Sequence, residues 1–160
     1  MKVPAANLMA FLEWIWRTDL TVTTKDLIGA WKLEDWSLVY EDGRPDDFPL
    51  GRDAVGFILY TADGHMSATI SRAGRKPLGT DGVAAKAEAY DGCFAYAGRF
   101  EVRKGVAFHS IEVATNPALA GITSTRHILL DSNRLTLSGP DFSPDAPRFH
   151  RIIWRRLGVA

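Results

Sequence analysis

A single cysteine, Cys93, stands among the 160 residues. A lone thiol closes no internal disulfide, so the fold does not depend on an oxidising compartment, and we expect a cytoplasmic protein. No sign of charge is in excess: Lys+Arg and Asp+Glu are both 19, giving a formal net charge of zero. Without a basic surplus there is nothing to displace counterions from phosphates, which argues against a nucleic-acid partner. No apolar run approaches the roughly 20 residues of a membrane span. The run at 8–12 is followed by Glu13 and Arg17, and no small-residue cleavage site follows it, so it does not read as a signal peptide. Several chemical signatures are absent too. There is no glycine-rich phosphate loop, no Gly-x-Ser-x-Gly around Ser67 or Ser110, and no His-x-His or His-Glu-x-x-His among the four histidines. Nucleotide cofactors, Ser-His hydrolysis and a metal centre all lose support, and we expect neither cofactor nor metal.

Hydrophobic residues make up 46% of the chain, enough for the core of one domain. We divide it into an N-terminal extension, 1–23, and a barrel domain, 24–160. In the extension, Leu8, Phe11, Leu12, Ile15 and Trp16 fall on one helical stripe. This amphipathic helix is expected to plug or flank the domain, to contact a partner or pair two copies as a homodimer, or to serve in targeting. Thr24 then caps a single turn leading to Gly29-Ala30-Trp31.

From there the pattern is short and alternating. Strands are expected at 30–40, 54–60, 66–70, 94–102, 106–114, 123–130, 134–138 and 149–156. Asp63-Gly64, Lys104-Gly105 and Asp131-Ser132-Asn133 supply tight turns. The segments 44–53 and 140–147 are proline-bearing loops, 71–79 is polar, and an alanine-rich helix follows Thr80. Eight antiparallel strands of this length predict a mainly β fold, a closed barrel with room for one small ligand.

Alternate residues of a strand face opposite sides, and Arg99, Glu101 and Arg103 must be wet. That puts Tyr96 and Phe100 inside. The same logic gives an inner face of Trp31, Met66, Tyr96, Phe100, His109, Ile111, Arg126, Ile128, Leu137, Ile152 and Trp154, with His150 on the Ile152 side of its strand. In the fifth strand His109, Ile111 and Val113 share a face, opposite Phe108, Ser110 and Glu112. The strand at 54–60 is apolar on both faces, so its register stays open. An apolar wall with sparse polar groups is the character of a small-molecule pocket.

The ordered series Leu27-Ile28-Gly29-Ala30-Trp31, the run from Val55 to Ser67, Tyr96-Ala97-Gly98-Arg99-Phe100, His109, Asn116-Pro117, Gly121, Arg126, Leu135-Thr136-Leu137 and Trp154-Arg155-Arg156 resembles the bacterial and fungal lipocalin-like domain family. The resemblance spans about 26–156 and implies a ligand-holding β-barrel. It implies no reaction, because fold analogy stops short of function.

Two uses of the lumen follow. In the first, the barrel holds an apolar or aromatic ligand against Trp31, Met66, Phe100, Ile111, Ile128, His150 and Trp154. In the second it is a cofactor-free cyclase, isomerase or dehydratase. There His109 and Arg126 would hold a carboxylate, phenolate or enolate and move a proton, with Tyr96 donating to a ligand oxygen. Structural roles stand beside these: Arg126 stacking on Trp31 or Trp154 to close the barrel, the two tryptophans packing its floor, and Tyr96 bonding to backbone. His65, after a hairpin turn, faces solvent.

Overall fold

The period of two in the sequence carries directly into burial. Along 55–60, Val55, Phe57 and Leu59 are exposed while Gly56, Ile58 and Tyr60 are buried, which settles the register that the doubly apolar sequence left open. The next strand repeats the pattern, with Met66, Ala68 and Ile70 inside. The structure, a computed structural model, describes residues 17–79, 82–141 and 148–158. The helix and the dimer contact expected near the N-terminus rest on residues 8–16, which lie outside the described ones.

Eight strands form the barrel: β1 (Gly29–Tyr40), β2 (Val55–Tyr60), β3 (His65–Ser71), β4 (Cys93–Arg103), β5 (Val106–Ala114), β6 (Thr123–Asp131), β7 (Arg134–Pro140) and β8 (Arg148–Arg156). Each pairs antiparallel with the next, and β8 pairs with β1, so the sheet closes. Among the described residues two helices accompany it, α1 (Thr24–Leu27) and α2 (Val83–Asp91), with a short 3-10 turn at Pro117–Leu119. The cap of α1 is Thr23, not Thr24: Thr23 and Asp26 bond reciprocally in a capping box.

One end of the barrel is sealed. Leu27 and Val22 are buried beneath it, and the Trp31 indole N–H donates to the Leu27 carbonyl at 2.8 Å. The Arg156 guanidinium lies 4.1 Å from the centroid of the Trp31 ring. It donates to the carbonyls of Ile28 at 3.0 Å and Asp26 at 2.5 Å. The cation that closes the floor on Trp31 is therefore Arg156, not Arg126. A guanidinium suits this place because its flat face stacks while its edge donates.

The strands are not perfectly regular. Ala97 pairs with Val113 but Gly98 pairs with Ile111, leaving Glu112 as an extra residue in β5. This bulge turns Val113 outward, where it is 62% exposed, and corrects the face expected for it. Gly98 makes the bulge feasible. A Cβ there would lie 2.0 Å from the Ser110 carbonyl oxygen, so no larger residue fits.

Candidate functional site

At the end opposite α1, the lumen is a cavity of about 400 Å³. Trp36, Ile70, Phe94, Ile111, Ile152 and Trp154 supply an apolar wall. Asn116, Leu119 and Ile122 from the β5–β6 connection reach its mouth, as do Asp141 and Arg148 from the ends of β7 and β8. Four polar side chains also reach it from the strands: Tyr96, Ser124, Arg126 and His150.

The structure divides the expected inner residues between two levels. Tyr96, Ile111, Arg126, His150 and Trp154 line the cavity. Trp31, Met66, Phe100 and Ile128 are buried among the side chains that fill the barrel around and beneath it. His109 is fully buried and reaches the cavity only through Tyr96.

His109 sits in a chain of three residues. Its Nε2 is 2.9 Å from the Tyr60 hydroxyl, and its Nδ1 is 3.0 Å from the Tyr96 hydroxyl. Burial, reinforced by the nearby Arg126 charge, pushes the imidazole pKa down to about 3. The ring is neutral at ordinary pH, with one N–H and one bare nitrogen. Tyr60 is 2% exposed, and His109 is its only hydroxyl partner among the described residues. Its proton is satisfied only if it donates to Nε2, because a buried donor left unpaired is costly. The imidazole proton then resides on Nδ1 and is donated to the Tyr96 oxygen. The Tyr96 O–H is left to point its proton into the cavity. Burial raises the pKa of both phenols, more strongly for Tyr60, so the chain holds neutral groups throughout.

Arg126 supplies the charge. It stands opposite Ala107 on β5 in the β5–β6 ladder, and next to Gly139 across the β6–β7 pair, where His127 faces Ser138. A Cβ on Gly139 would come within 3.2 Å of Arg126 Nη1 and 2.6 Å of the Thr125 carbonyl oxygen. The missing side chain thus leaves the groove along which the arginine lies. Burial disfavours the charged guanidinium, yet an arginine does not give up its proton in a protein.

A second polar string borders the mouth. The Trp36 indole N–H donates to His150 Nδ1 at 3.1 Å, which places the imidazole proton on Nε2, facing Asp141 Oδ1 at 3.4 Å. Asp141 also accepts from Arg148. The His150 contact and the Arg148 guanidinium together hold its carboxyl down to about 2. Burial lowers the pKa of His150 despite the facing carboxylate. Both nitrogens of His150 are engaged, so it positions its neighbours and is not free to take a proton from a ligand.

Residues 28–157 match the family model of the lipocalin-like domain. The chain belongs to this family. Among curated proteins, none matches it. In this lipocalin-like barrel, sequence reasoning missed Tyr60, Trp36, Ser124 and the Asp141–Arg148 pair. Tyr60 was hidden by the ambiguous register of β2. Trp36 carried a signal, since an indole in a strand usually has a partner for its N–H. Ser124 carried none. Among the described residues no three His, Cys, Asp or Glu side chains converge as metal ligands, and no helix is long and apolar enough to cross a membrane.

Proposed function

We propose that this lipocalin-like barrel binds an apolar or aromatic small molecule in its lumen. The observation that carries the reading is the cavity of about 400 Å³, within the roughly 300–1,000 Å³ of ligand sites. Its wall has a tilted aromatic pair, Trp36 and Phe94, with centroids 5.7 Å apart. The test is titration with the neutral fluorophore N-phenylnaphthylamine, followed by native mass spectrometry of protein purified from its source. Saturable binding of one probe per chain, abolished by Ile111→Trp, which fills the cavity, supports the reading. Binding that the filled variant retains refutes it.

A second reading has its own observation. The Tyr60–His109 pair directs a phenol proton into the same cavity that Arg126 charges. A placed donor beside a fixed cation can stabilise negative charge that develops on an oxygen. This suits a cofactor-free isomerisation, cyclisation or dehydration in which Tyr96 and Arg126 touch the reacting oxygen and His109 positions Tyr96. The natural ligand, once identified, is incubated with catalytic amounts of protein. Conversion that is lost in Tyr96→Phe and Arg126→Gln supports catalysis, and an unchanged ligand leaves binding alone.

A further inference from the structure

Two residues that line the cavity each carry a buried polar atom with no hydrogen-bond partner among the described residues: Ser124 Oγ and Trp154 Nε1. These residues are 5% and 1% exposed. An indole N–H can only donate, and native proteins seldom leave such a group orphaned. Arg126 lies two residues from Ser124 on β6 and also lines the cavity, so the two side chains share a face. Its hydrogen bond runs to the Thr125 carbonyl at 2.8 Å, and no described carboxylate forms an ion pair with it. The acidic group nearest in the lumen, Asp141, is held by Arg148 and His150. Tyr96 adds a fourth donor.

Four donors, one of them a cation with no ion-pair partner, therefore belong to residues lining a space in which the one carboxylate among the described residues is already engaged. A half-buried charge with no carboxylate partner is complemented by an anion that brings its own acceptors. The geometry points to a ligand bearing an anionic oxygen, a small aromatic carboxylate. Arg126, Ser124 and Trp154 would hold its carboxylate, with the ring against Trp36 and Phe94. This rests on the reading of the lumen as a small-molecule site and specifies which molecules it prefers.

A matched pair of probes tests it: naphthoate and its neutral carboxamide, compared by calorimetry near neutral pH. The wild-type barrel should bind the acid at least about tenfold more tightly, as a charge-assisted pair would give. Arg126→Gln should bring the two affinities together while keeping the amide's. Ser124→Ala removes a hydroxyl that bonds to nothing, so it should leave the thermal midpoint unchanged or higher and weaken the acid alone. It also carries the test should Arg126→Gln fail to fold. Equal affinity of the wild type for both probes, or preference for the amide, overturns the anion assignment and leaves lumen binding standing. Binding of neither probe overturns the lumen reading and this inference together.

Discussion

Acidification from pH 7 to pH 5 should destabilise the barrel through His109. The imidazole pKa is near 6.5 in the unfolded chain and about 3 in the fold, chiefly because the ring is buried. Above pH 6.5 neither state binds the proton, and the residue contributes no pH dependence. Below it the unfolded state takes up a proton that the native state refuses until about pH 3. Stability is therefore lost as the pH falls through this window, at about 1.4 kcal/mol per pH unit. Over the 1.5 units down to pH 5 the loss from this one residue is about 2 kcal/mol. Burial also lowers His127 and His150, and both act in the same direction, so the His109 share must be isolated. Urea unfolding of the wild type and His109→Gln at both pH values does so. The difference between their pH 7-to-5 losses should be about 2 kcal/mol. In parallel, imidazole nitrogen NMR should show His109 neutral at pH 5 with its proton on Nδ1. Equal losses in the two proteins, or a proton on Nε2, would refute the argument.

Three further outcomes follow from the same structure. Tyr60→Phe keeps the ring that packs on Phe100, 4.6 Å between centroids, but removes the donor to His109; denaturant unfolding should show a loss of about 1–3 kcal/mol. Gly139→Ala drives a methyl into the Thr125 carbonyl and the Arg126 side chain, so calorimetry should show weaker binding of an anionic probe together with a lower thermal midpoint. Arg156→Gln uncovers Trp31 and frees two carbonyls at the sealed end; it should lower the melting temperature while leaving probe affinity at the far end unchanged.

The barrel was legible in the sequence wherever one face of a strand had to be wet. Arg99, Glu101 and Arg103 placed Tyr96 and Phe100 inside without further help, and both are inward in the structure. The alternation failed at Val113, because one extra residue reverses every side chain beyond it. Gly98 was the available hint, since a glycine inside a strand often marks a bulge. The choice of Arg156 over Arg126 as the floor cation depends on how far each residue lies along the barrel axis, which spacing does not encode. The site was harder to read for the same reason. Ser124 and Trp154 meet one cavity through the stagger of strands β6 and β8. Asp141 and Arg148 flank a proline-bearing stretch of sequence with no strand periodicity to place them.

Closure of the sheet through β1 and β8 also bears on how the chain is made. Trp31 and Lys32 pair with Arg156 and Arg155, residues separated by most of the folded length. A chain emerging from the ribosome can zip its neighbouring hairpins as they appear, but the final seam waits for the last strand. Until then β1 presents an unmatched edge, open to pairing with another chain. Contacts this distant in sequence slow folding. Translation that stops short of β8 thus yields two raw edges and an unsealed floor, and the nascent barrel stays vulnerable to aggregation until β8 has joined the sheet.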